Sequence, residues 1–200
     1  MDEKYYAHWS EDGRKQTVLA HLLCTAMLCA QFAEKFGEKA LGYWAGLLHD
    51  IGKFTQAFQK RLFCGGKKVD HSTAGAWESK AYLPISLCIM GHHSGLPDLG
   101  GRTDKGKPTY FGRMNKAKSG QLEPYDAWKQ EVELPQAPKM EPKTELELDF
   151  LIRMLYSCLV DADFLDTETF MNGRAAPRGG GEGIPALLEK ARTQAERYLG

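Results

Sequence analysis

The sequence predicts an all-α fold, a helical bundle interrupted by one long irregular loop between its fourth and fifth main helices. Three observations carry this. Apolar residues recur every three or four positions in several stretches, the period of a helix with one buried face. Gly and Pro (Gly37, Gly65-Gly66, Gly95, Pro97) separate those stretches and mark helix ends and turns. Residues 96–143 differ in kind, being rich in Gly, Pro and Lys with little periodicity. Two hundred residues suit one domain, or one plus a short extension.

Residues 1–15 are polar and irregular, with His8 and Trp9 the notable members. From Gln16 to Phe36, Val18, His21, Thr25, Leu28 and Phe32 lie along one helical line, with Leu22, Ala26, Cys29 and Ala33 beside it. His21 therefore faces inward, as a ligand or as a hydrogen-bonded core residue. In the next helix Leu41, Trp44, Leu47, Leu48 and Ile51 form the apolar face, and a stop near Gly52 would set His49 and Asp50 on the last turn. The segment FTQAFQKRLF reads as a short helix with Phe54, Phe58 and Leu62 inward. In VDHSTAGAWESKAY, Asp70 or Ser72 can cap a helix, which places His71 at or near its start. Pro84 fits a first helical turn, and ISLCIMGHH runs apolar into His92-His93. These two can be metal ligands, or favourable partners of a helix C-terminus.

The loop is expected to hold at most short helices, one of them near PYDAWKQEV. The run RTDKGKPTYFGRMNKAK interleaves Arg102, Lys105, Lys107, Arg113, Lys116 and Lys118 with Tyr110 and Phe111. Cations with aromatics suit a single nucleic-acid strand, though a solvated loop has the same composition; Lys105, Lys107, Arg113 and Lys116 are the nucleic-acid-binding candidates. From Thr144 to about Thr167, Leu148, Leu151, Ile152, Leu155, Leu159 and Ala162 form a core face. The spacing of Ile152, Tyr156, Leu159 and Asp163 carries Asp163 inward, with Asp161 and Asp166 as alternatives. Residues 172–183 compose a flexible Gly/Pro/Arg linker between a domain at 1–171 and a C-terminal helix at 184–200.

Composition narrows the function. Acidic and basic residues number 26 each, which argues against grip on nucleic acid by bulk charge; any such contact must be local. Five cysteines without a CxxC pair disfavour a disulfide framework and a structural zinc site, so the thiols are expected reduced. Without a signal-like or membrane-spanning apolar run, a cytoplasmic location with no membrane association is expected.

The chemistry rests on His21, His49-Asp50, His71, His92-His93 and Asp163. Imidazole and carboxylate together suit divalent manganese, iron, cobalt, nickel or zinc. Seven ligands are too many for one tetrahedral ion and about right for two, with Asp50 bridging. Such a pair activates water and stabilises the attacking and leaving oxygens of a phosphodiester.

HDIGK with an upstream His and a downstream Asp resembles the signature of the HD phosphohydrolase superfamily. More closely, AGLLHDIGK, FQKRL, DHSTAGA, GHHSG and LVDADFLDTE, across roughly residues 8–170, are similar to the N-terminal HD nuclease domain of the CRISPR-associated Cas-three nuclease-helicases of type I systems. The resemblance implies an all-α HD-domain bundle and a metal-dependent endo/exonuclease cutting single-stranded DNA, fed by a helicase and recruited by the Cascade complex. It implies two divalent ions (manganese, iron, cobalt, nickel or magnesium), one held by His21, His49, Asp50 and Asp163, the other by Asp50, His71, His92 and His93. Lys53 would contact the scissile phosphate, making Asp50 and Lys53 the catalytic pair, and His8 would lie near the site. Neither a GxxxxGK[ST] loop nor a DEAD-like box occurs, so the helicase is expected on a separate subunit or domain. Two rival readings are an HD phosphohydrolase acting on nucleotides or cyclic dinucleotides, and a non-catalytic helical adaptor with a structural metal site. Cyclic-dinucleotide phosphodiesterases follow their paired histidines with a GYP element, where this chain has SGLPD.

Overall fold

A computed structural model describes residues 4–141, 143–178 and 182–199. The first three residues of the expected domain, position 142, and residues 179–181 of the expected linker lie outside the described residues. The fold is all-α, with the elements α1 (Val18–Ala33), α2 (Lys39–Leu48), α3 (Gln56–Cys64), α4 (Ser72–Glu78), α5 (Leu83–Gly91), α6 (Tyr110–Lys118), α7 (Trp128–Glu131), α8 (Glu145–Asn172) and α9 (Ile184–Leu199). Short 3-10 helices at Glu34–Phe36 and Ile51–Phe54 follow α1 and α2.

α1, α2, α5 and α8 pack together around Leu22, Leu48, Ile89, Leu155 and Leu159, all without exposed surface. Their ends are set locally. Thr17 caps α1 through its hydroxyl, Gly37 closes the following turn in the left-handed region (φ 82°), and a full Thr144/Glu147 capping box opens α8. Such a box satisfies two backbone donors left without an intrahelical partner. α9 is exposed through Tyr198.

Two expectations are corrected. Residues 1–15 are not irregular throughout, because strands β1 (Tyr6–Trp9) and β2 (Lys15–Thr17) form an antiparallel hairpin. Its turn closes through Gly13 N–H to Ser10 O at 3.0 Å, with Gly13 at φ 88°. α2 stops at Leu48 with His49 as its C-cap still in helical geometry, so of the expected pair only Asp50 is off the last helical turn. Asp50 leaves helical geometry (φ −119°, ψ 19°) and starts the 3-10 segment. The loop at 96–143 holds short helices, as expected: α7 falls in PYDAWKQEV, and α6, capped by the Thr109 hydroxyl on Gly112 N–H, falls within the basic run.

Two glycines dock α4 against the end of α2. A Cβ on Gly75 would lie 2.0 Å from Leu48 O, and one on Gly52 would lie 2.1 Å from His71 O. Neither leaves room for a methyl group, and both obstacles are backbone. Replacing Gly75 by Ala is expected to lower unfolding free energy in a urea melt by about 1–3 kcal/mol, the usual range for overpacking, despite alanine's better helix propensity.

Candidate metal centre

The histidines and aspartates singled out in the sequence come from five places in the fold. His21 lies one turn into α1, His49 and Asp50 between α2 and the 3-10 helix, His71 just before α4, His92 and His93 just after α5, and Asp163 on α8. Four of the five are helix boundaries or lie within a turn of one, where chain direction changes and side chains from different elements can converge.

They converge as two groups that share Asp50. His21, His49, Asp50 and Asp163 offer ligand atoms all within 4.8 Å of one another, and so do Asp50, His71, His92 and His93. In the first group His21 Nε2 is 3.3 Å from both Asp50 Oδ2 and Asp163 Oδ1, and 3.2 Å from His49 Nε2. In the second, Asp50 Oδ1 is 3.3 Å from His92 Nε2 and 3.5 Å from His71 Nε2, and His71 and His93 meet Nε2 to Nε2 at 2.8 Å. One carboxylate thus turns one oxygen to each group.

The ring orientations are fixed from behind. His49, His71 and His92 each face a backbone carbonyl through Nδ1, those of Gly46, Val69 and Ile89 at 2.7, 3.0 and 2.6 Å. A carbonyl only accepts, so Nδ1 carries a hydrogen and Nε2 is the nitrogen turned into the site. His21 Nδ1 instead donates to Asp166 Oδ2 at 2.6 Å, and Gln16 Nε2 donates to the same oxygen. Asp166, one of the alternatives to Asp163, is thereby the partner that orients His21, while Asp163 faces the cluster.

His21, His49 and Asp50 have no exposed surface, which makes their charges expensive. Burial opposes ionisation of Asp50, but Lys53, His49 and His71 outweigh it and hold the carboxyl well below its usual range. Lys53 Nζ donates to Asp50 Oδ2 at 2.6 Å and reaches His8 Nε2 at 3.4 Å. His8 is near the site, as expected, and burial together with Lys53 holds it neutral, its pKa lowered to about 3. Burial also disfavours charge on His49, yet Asp50 and Asp163 overcome it and raise that pKa to about 10. His93 moves the other way, to about 3, through burial and the neighbouring His92.

The donor set fits a divalent cation. Asp50 Oδ1 and His92 Nε2 are both buried without a hydrogen-bond partner, which leaves both atoms available to an ion between them. Nitrogen and oxygen donors, several of them held by an outer layer of hydrogen bonds, are what such ions take.

A cleft of about 680 Å³ opens beside the second group, with His71 and His93 on its wall and Lys68, Lys105, Lys107 and Lys116 around it. All four nucleic-acid candidates therefore line the cleft. Lys107 pairs with Asp104 at 3.0 Å and Lys116 with Asp70 at 3.5 Å. Arg113 differs, because its guanidinium is turned against α4 and α5 with every nitrogen engaged.

Residues 18–119 match the family model described as HD domain, 102 of the 200 residues. No curated protein matches the chain. The matched span includes every histidine of both groups and Asp50; Asp163 and Asp166 lie beyond it.

Two outcomes follow from the geometry. Asp166→Ala removes the orienting partner of His21 and is expected to weaken divalent-ion binding about 10–100-fold in equilibrium dialysis. Loading must also displace the proton held on His49, so ion uptake at neutral pH should release protons and weaken as pH falls, which calorimetry in buffers of different ionisation enthalpy reads directly.

Proposed function

The chain belongs to the HD domain family, and from that premise we propose that it is a nuclease hydrolysing phosphodiester bonds of single-stranded DNA in type I CRISPR interference, beside a helicase and the Cascade complex. HD domains are typically metal-dependent phosphohydrolases, and the paired His/Asp groups could hold the ions. The observation that carries the nuclease reading is the adjacency of those groups to the basic cleft: the Asp50-centred cluster opens through His71 and His93 onto a surface of lysines. A strand laid along that surface has its phosphates facing cations and one of them at the site.

Two divalent ions sharing Asp50 would supply Lewis-acid polarisation of the phosphate and an activated water. The chain's own residues do the rest. His21, His49, His71 and His92 turn Nε2 toward the site because a carbonyl or the Asp166 carboxylate holds each Nδ1. Lys53 carries a positive charge to the floor of the site, where it compensates Asp50 and can stabilise charge developing on the phosphate. His8, neutral and within 3.4 Å of Lys53 Nζ, accepts from the ammonium and holds it toward the centre. The overall charge balance then needs no basic excess, since the helicase would grip and deliver the strand while Lys105, Lys107 and Lys116 guide it locally.

The test is cleavage of circular single-stranded DNA by metal-stripped protein resupplied with manganese, cobalt, nickel, zinc or magnesium. Cutting that requires a divalent ion and falls to background in Asp50→Ala is the expected result; a circle excludes a nucleotide hydrolase. Turnover of mononucleotides or cyclic dinucleotides with the circle left intact would favour the alternative substrate class, for which the cleft is also large enough. Separately, the triple variant Lys105→Ala, Lys107→Ala, Lys116→Ala should bind single-stranded DNA about tenfold more weakly. Its log-log salt slope should become shallower by up to about 2, at roughly 0.7 for each phosphate that no longer meets a lysine.

A further inference from the structure

The two groups around Asp50 are not supported alike. Residues of the first are carried by α1, α8 and the end of α2, elements packed directly on one another, and His21, His49 and Asp50 have no exposed surface. The second draws its histidines from two separate chain ends. His71 follows an exposed stretch, residues 64–68, and leads into a helix of seven residues; His92 and His93 end α5 just before the exposed Ser94 and Gly95. α4 and α5 pack on each other, and Ser86 Oγ joins them by donating to Ala76 O at 2.7 Å, so the gap left to close lies at their histidine-bearing ends.

One side chain spans the gap. Arg113, on α6, donates from Nη2 to Asp70 Oδ1 at 3.0 Å and Ser72 Oγ at 2.6 Å, and from Nε to Thr73 Oγ1 at 2.8 Å. Those three residues flank His71 in sequence. Its Nη1 donates to Met90 O at 2.9 Å, two residues before His92. The flat fork of a guanidinium thus ties the chain at His71 to the chain at His92-His93 in one rigid unit. Asp70 is doubly used, since it also accepts from Thr73 N–H at 3.2 Å and so starts α4.

We infer that Arg113 is a positioning residue for the second ion, fixing the separation of the His71 and His92-His93 arms, and not a nucleic-acid contact. The inference rests on the reading that both groups hold ions. A lysine carries the same charge but only one donor atom, so it cannot reach acceptors on both arms in the same geometry.

Metal-stripped protein titrated with manganese in equilibrium dialysis tests this without reference to activity. Wild type is expected to take up two ions per chain. Arg113→Ala and Arg113→Lys should each keep one tightly bound ion and bind the other at least about tenfold more weakly, while Lys116→Ala, which removes the other cation beside Asp70, should keep both. If Arg113→Ala loses its helical circular dichroism, Arg113→Lys decides alone, because it preserves charge and helix propensity. Wild-type affinity for both ions in Arg113→Lys would overturn the positioning role. Fewer than two ions in the wild type would instead overturn the two-ion reading on which it rests.

Discussion

A carboxylate with no contact with water sits at the centre of this fold, and the surroundings are arranged around its charge. Left alone, Asp50 would protonate before it would stay ionised at zero exposure. Lys53 at 2.6 Å and imidazoles on both sides keep it charged. Each compensating group in turn needs its own support: carbonyls behind His49, His71 and His92, Asp166 behind His21, and His8 beside Lys53. The break in α2 at Leu48 belongs to the same arrangement, because a continuing helix would carry Asp50 away from where its two oxygens can face opposite groups.

That centre is held by connections outside the helical bundle as well. Gln59 accepts from Tyr6 N–H and donates to Tyr6 O and Lys53 O, joining the hairpin to the segment that bears Lys53. Arg14 donates to Phe170 O and Met171 O at the end of α8, where carbonyls lack intrahelical partners. The hairpin carrying His8 is thus anchored both at α3 and beyond Asp163 and Asp166.

Helical periodicity made α1, α2, α5 and α8 legible, and with them the inward direction of His21 and Asp163. What escaped it has physical causes. Strands of three and four residues are too short for alternation to register, so the hairpin read as irregular. Asp163 and Asp166 are one turn apart on the same face of α8, where spacing alone cannot say which faces the imidazole's front and which its back. Asp70, Ser72, Thr73 and the Met90 carbonyl lie 23–43 residues from Arg113 in sequence. A cation in a basic run reads as solvent-facing when its acceptors come from elsewhere in the chain. The gathering of the seven ligand-type residues needed no tertiary guesswork beyond the motif, because each stands at a helix boundary or on an apolar face.

Because Asp50 gives one oxygen to each group, ions bound in the two halves of the centre would form a single linkage system. Occupancy of one half changes the charge and the rotameric freedom that Asp50 offers the other. Whatever factor this introduces acts with equal size in both directions. With an ion in each half, the abundance of half-loaded protein would be set by that coupling, and the two binding constants would describe the pair as a whole, just as the protons of a coupled acid pair belong to neither group alone.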